Sequence, residues 1–268
     1  MNLLEPALFL KPLAAALIAG ALCAFLGVYI HLKRIIFVSI ALSEVAALGV
    51  AAGLFLGLQP EVCACVLAVV MALLLGLTII RGVFTREAFL GLTYCLAAAG
   101  AVILLAANPM AEAHGLDLVS GNLLYTSSTE ILTLFVLAGV VFLAHGFLMR
   151  DLLFVFFDPE TARTLHLPVR FYEFVIYFSL GLSIAQVMRS AGVLFVFSSM
   201  VIPPMIGLAL TRSVRGVFTG SILSALVASG LGLWLSFRQD LPTGPAIVCI
   251  QGLLFFLALG FYGYRKAR

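Results

Sequence analysis

Very few polar side chains in this sequence stand where they could do chemistry. The first is Glu44, in the run VSIALSEVAALGVAAGLFLG. It lies nine residues beyond Ile35, which at a 1.5 Å rise is about 14 Å into an apolar helix. That depth is close to a bilayer midplane, where a carboxylate costs on the order of 3 kcal/mol on insertion scales. Such a group has to face a bundle interior or a wet cavity. It then serves either as a cation ligand lining a pathway or as a protonated acid bonded to a neighbouring helix. Ser43 adds a hydroxyl beside it, and Ser39 lies one turn nearer the start of the run.

The second cluster is in FVFFDPETARTLHLPVRFYEF. Asp158 and Pro159 have the form of a helix start, an N-cap acid followed by Pro at the first helical position. Glu160 joins Asp158 near the positive end of that helix, and Pro168 is expected to end it within about two turns. A short amphipathic helix on a loop suits the docking of a soluble partner. The competing role is a helix lying on the membrane, but both signs of charge within a few residues fit lipid anchoring poorly.

Other chemistry is missing. Cys63 and Cys65 form a C-x-C, yet no second Cys/His pair lies nearby. With Cys23, Cys95 and Cys249 they make an odd set of five within or beside apolar runs, the usage of small apolar residues. There is no phosphate-cradling G-x-x-x-x-G-K-[ST], no H-E-x-x-H and no G-x-S-x-G. An intramembrane protease or esterase therefore has no catalytic constellation, and the chain is expected not to be an enzyme. A proton-coupled carrier would keep several ionisable groups at depth, and only Glu44 sits clearly inside a span.

The elements that must position these residues follow from composition. Of 268 residues, 63% are hydrophobic and 10% charged, against about 25% charged in soluble domains. Too little polar surface remains to cover a water-soluble globule. Fifteen Lys and Arg against twelve Asp and Glu leave +3 with no basic tract, which excludes a nucleic-acid partner. The apolar runs are continuous, so a transmembrane β-barrel is excluded. The opening residues MNLLEPALFLKP lack a basic n-region and contain Glu5, so no cleavable signal peptide is expected.

The fold class is all-α, a polytopic helix bundle in contact with membrane lipid. Apolar runs fall near 12–30, 35–58, 62–80, 88–107, 126–149, 174–188, 190–210, 217–237 and 244–263, nine spans in all. The sixth and seventh are short and separated only by Arg189-Ser190, so eight spans with a broken helix is the alternative. With the N-terminus outside, twelve Lys and Arg fall on inner segments. The outer segments hold Lys11, Arg189 and Arg238. This bias places 150–173 and the C-terminus in the cytoplasm. No linker or low-complexity tract divides the chain, so residues 1–268 form one domain. Gly49, Gly53 and Gly57 make a bare stripe at spacing four, expected to pack a helix within the subunit or at a dimer seam. Pro203-Pro204 is expected to kink the seventh span, and Pro242, Gly244 and Pro245 to form a rigid outer turn.

Four segments, in order, carry a resemblance: LKRIIFVSIALSEVAALGVAAG, FDPETARTLHLPV, AGVLFVFSSMVIPP and DLPTGPAIV. The chain resembles the permease subunits of bacterial ABC importers for zinc, manganese or iron, over most of its length. The resemblance implies a multi-pass permease of the bacterial cytoplasmic (inner) membrane that dimerises, as a homodimer, with its pathway at the dimer axis. It implies a cytoplasmic ATP-binding subunit, which hydrolyses the ATP, an extracytoplasmic metal-binding protein, and no cofactor on this chain. Asp158–Leu167 would be the coupling helix, with Asp158, Pro159, Glu160, Arg163 and His166 as its contact residues. Members of the family commonly carry G-D-x-L-S-H in the second span, where Asp and His are thought to touch the metal. Here those positions are Ile40 and Glu44, and the Gly of the usual A-x-x-x-G in the coupling segment is His166. The metal contact therefore falls to Glu44, with Ser43 and Ser39 beside it in the pathway. A lone carboxylate suits manganese or ferrous iron better than zinc, or marks a chelated substrate. The alternative function is a motor-free secondary carrier or channel for a cation.

Overall fold

The computed structural model describes residues 6–77, 85–107, 121, 123 and 126–266. Among them all regular structure is helical. The helices are α1 (Pro6–Leu32), α2 (Phe37–Leu56), α3 (Pro60–Leu77), α4 (Arg86–Ala106), α5 (Ser128–Phe157), α6 (Pro159–Thr164), α7 (Val169–Leu210), α8 (Val214–Gln239) and α9 (Thr243–Lys266). Seven of them are long and apolar enough to cross a membrane, and Pro60–Gly76 is a shorter apolar helix. The chain is a multi-pass membrane helix bundle, as composition implied.

Helix α7 holds two of the predicted spans. As one rod its 42 residues would reach about 63 Å, twice the roughly 30 Å hydrocarbon core. It breaks at Gly192, with φ 81° and ψ 163°, a conformation that only glycine adopts without strain. The segments on either side measure about 34 Å and about 27 Å. The break lies just past Arg189-Ser190, where the sequence separates the two runs. The helix continues through Pro203 and Pro204, so the non-helical residue is a glycine eleven positions before the prolines. The expected outer turn at 242–245 is also helical beyond Pro242, with Gly244 and Pro245 in the first turn of α9. Pro is tolerated there because the first N–H groups of a helix have no intrahelical partner.

The chain divides into two compact units. One comprises Met1–His31, Leu116–Val136 and Val187–Arg268. In it α1 runs antiparallel to α8. Phe9 meets Phe237 with centroids 5.7 Å apart at one end, and Phe25 and Tyr29 meet Phe218 at 5.2 and 5.1 Å at the other. The second segment of α7 packs Met200 on Gly27 of α1 and Gly207 on Val217 and Ser221 of α8. Buried Gln251 of α9 donates Nε2–H to Ser199 Oγ at 2.8 Å. At the start of α5, Ser127 and Glu130 form a capping box, each side chain accepting from the other's backbone N–H. Glu130 also pairs with Arg189, just before the α7 break.

The other unit comprises Leu32–Gly115 and Leu137–Gln186. Helix α2 is its hub, packed on α3 and α4. A Cβ on Gly49 would lie 2.5 Å from Ala64 Cα, and one on Gly53 2.6 Å from Pro60 Cα. Both glycines are therefore contact points of the α2–α3 hairpin within the subunit. Gly57 is different: at φ 69° it is the left-handed cap that follows α2, its N–H donating to Gly53 O, and a Cβ there would meet no described residue within 4 Å. Gly181 of α7 packs on Ala68 and Ala72 of α3, and Gly76 of α3 on the Tyr177 ring.

Topology can be tested directly. Reporter fusions at Lys11 and after Arg268 are expected to report opposite sides of the membrane, as nine crossings require. Both ends on one side would favour eight.

Candidate functional site

Helix α2 carries the first group of predicted site residues. Its Ala-, Leu- and Val-rich sequence starts beyond a tight turn in which Arg34 sits at φ 56°. Glu44 is seven residues from Phe37, about 10 Å along the axis, and half-buried. It shares a face with Ile40 and Leu48, one turn to either side and also half-buried. Among the described residues it has no hydrogen-bond or ion-pair partner. Ser39 and Ser43 lie on another face and are fully buried. Ser39 Oγ donates to Ile36 O at 2.7 Å and Ser43 Oγ to Ser39 O at 2.8 Å. Their protons are committed to the helix, and the structure does not gather the three side chains around one point.

A second ionisable side chain at depth is His145, which the sequence analysis passed over. It is fully buried, seventeen residues into α5, and its Nδ1 lies 2.9 Å from Val141 O. A carbonyl only accepts, so Nδ1 carries a proton and donates it to Val141 O. An imidazole so far into an apolar run was the available signal. Among the described residues, no three His, Cys, Asp or Glu side chains converge on a point that would hold a metal ion.

The coupling segment is built as its sequence suggests at the start and differently at the end. Asp158 is the N-cap of α6, accepting from Thr161 N at 2.9 Å and from the Thr161 hydroxyl. Those bonds, the hydroxyl first, hold its carboxyl below the ordinary carboxylate value, so the cap is charged at neutral pH. Pro159 occupies the first turn, Glu160 and Arg163 are exposed, and Ala162 is buried underneath. The helix stops at Thr164, before Pro168 can act. His166 N–H donates to Arg163 O and Leu167 N–H to Ala162 O, both at 3.0 Å, the paired bonds of a Schellman turn. The left-handed residue of that turn is His166, at φ 59°, a backbone conformation that favours glycine. Pro168 instead leads into α7, accepting from Phe171 N at 2.9 Å. Helix α5 also runs past Arg150 to Phe157, so much of the charged segment 150–173 is helix.

Residues 6–262 match the family model described as the ABC 3 transport family. The chain belongs to the ABC 3 transport family. It is accordingly a permease subunit of the cytoplasmic membrane and not an enzyme, ATP hydrolysis being the work of a separate ATPase in such systems. Two relatives align along nearly its whole length. The chelated iron transport system membrane protein YfeD of Yersinia pestis is 28% identical, over 93% of this chain and 84% of its own. The manganese transport system membrane protein MntC of Halalkalibacterium halodurans is 23% identical, over 94% and 86%. Among solved structures, a chain of PsaBC from Streptococcus pneumoniae in complex with Fab superposes with a TM-score of 0.83 at 21% identity, covering 93% of this chain and 90% of that one.

Proposed function

We propose that the chain moves a divalent transition-metal cation, manganese or ferrous iron, free or chelated, into the cytoplasm as one of two identical permease copies. The observation that carries this is Glu44, a carboxylate near the middle of α2 with no hydrogen-bond or ion-pair partner among the described residues. Removing a carboxylate from water without a partner is costly, and a passing cation is the partner that offsets it. A single hard oxygen ligand suits manganese or ferrous iron more than zinc, in keeping with relatives named for iron and manganese transport. Weak, incomplete ligation also suits a pathway, because an ion held by a full cage would not leave. Ser39 and Ser43 reach the pathway only if α2 rotates, so the reading rests on Glu44.

In the same proposal the exposed residues of the α6 segment, Glu160, Arg163 and His166, meet a cytoplasmic ATP-binding subunit. Asp158 and Pro159 shape the helix that presents them, within the cytoplasmic segment 150–173 of a single permease domain. An extracytoplasmic metal-binding protein delivers the ion. Glu160→Arg tests the docking. It sets a positive charge against the positive end of α6, a term of about 0.3–1 kcal/mol at an exposed site, which the bundle survives. Membrane insertion is expected to stay normal, while co-purification with the ATPase and manganese uptake both fall. Unchanged co-purification and uptake would remove this segment from the contact.

A further inference from the structure

We propose that Lys33 is the positioning residue that passes movement of the coupling segment to α2 and so to Glu44. The inference rests on the functional reading above and deepens it. Lys33 follows the last residue of α1, and its side chain is only 13% exposed. Its Nζ donates to Glu173 Oε1 at 2.8 Å. The same ammonium lies 5.1 Å from the centroid of the Phe156 ring and 4.9 Å from that of Tyr177, within cation–π range of both. These partners are not scattered. Phe156 is in the last turn of α5, and Glu173 and Tyr177 are in the opening turns of α7. They are the two stems between which α6 is strung, so one cation grips both stems of the docking helix.

On its other side Lys33 has almost no slack. Three residues separate it from α2. Arg34 is locked at φ 56°, Val38 N–H donates to Ile35 O at 3.0 Å, and Ser39 Oγ donates to Ile36 O at 2.7 Å. Helix α2 then runs unbroken through Glu44 to Leu56. A shift of the α5 and α7 stems is therefore felt at the base of the helix that holds the carboxylate. A second clasp offers a contrast. Tyr172 O–H donates to Asp151 Oδ2 at 2.8 Å, joining α5 to α7 without touching α2.

The experiment uses the complete complex with its ATPase in proteoliposomes, supplied with manganese or ferrous ion and read for both uptake and ATP hydrolysis. In Lys33→Met, uptake should fall at least tenfold while hydrolysis stays within twofold of the unaltered complex. Glu173→Gln, at a partly exposed position, should lower uptake about threefold in the same uncoupled manner. The exchange Lys33→Glu with Glu173→Lys should recover part of the loss, and Tyr172→Phe should leave the ratio of uptake to hydrolysis unchanged. If Lys33→Met does not assemble, Glu173→Gln and the exchange decide. Full uptake in Lys33→Met or Glu173→Gln, or hydrolysis falling in step with uptake, would overturn the inference alone. If the unaltered complex moves neither ion, the functional reading falls and the inference with it.

Discussion

Glu44→Gln should lower metal uptake at least tenfold while leaving membrane insertion and ATPase association intact. Gln keeps the size and the hydrogen-bonding reach of Glu and removes only the charge. If Glu44 meets a cation, that charge is what the ion loses, and a loss of about 1.4 kcal/mol is already a tenfold change. If it were a protonated structural acid, an amide would replace it with little loss, because it too donates. The absence of any hydrogen-bond or ion-pair partner for Glu44 among the described residues favours the first outcome. A companion variant approaches from the other side. Ile40 and Glu44 lie one turn apart on one face, so Ile40→Asp with Glu44→His would place both new ligands toward the same point and move preference toward zinc. Full uptake in Glu44→Gln, with no change of selectivity in the double variant, would take Glu44 out of the pathway.

The sequence made Glu44 and the start of α6 legible because each depends on local rules. An acid in an apolar run is costly wherever the helix packs, and an Asp-Pro pair caps a helix through its own backbone. What it concealed depends on neighbours. The faces of Ser39 and Ser43 follow from which side of α2 meets α3 and α4, which a residue count along one helix does not reveal. The sequence points to Pro168, the strongest local breaker, as the end of α6, but the turn at His166 acts first because its two backbone bonds close a left-handed residue that is not glycine. The break in α7 falls at Gly192 and not at Pro203-Pro204 because a positive φ ends a helix outright, whereas prolines in a membrane helix are tolerated when neighbours re-satisfy the freed carbonyls. His145 escaped notice because a single imidazole barely disturbs the hydropathy of α5. The cage around Lys33 joins residues more than a hundred positions apart, with no trace in sequence spacing.

The second large effect is on the fold. Gly27→Ala should leave little folded protein, although alanine is the better helix former. A Cβ at position 27 would overlap the carbonyl oxygen of Met200 and lie 2.9 Å from both its carbonyl carbon and its Cα. All three are backbone atoms of α7, so relief requires a whole helix to move rather than one side chain to turn. Overpacking a tight core costs about 1–3 kcal/mol and sometimes more, and this is one of the contacts that fasten α7 to α1 in a unit held by small-residue packing. Close helix approach matters more here than in water, because lipid supplies no hydrophobic force to bring helices together. Gly91→Ala is the matched control: it is also helical, but no described residue lies within 4 Å of the added methyl, so it should be neutral or stabilising by up to about 1 kcal/mol. Thermal unfolding of the detergent-solubilised variants, with the yield of monodisperse protein, separates the two. Equal stability in Gly27→Ala and Gly91→Ala would mean that α1 and α7 are not in backbone contact at Met200.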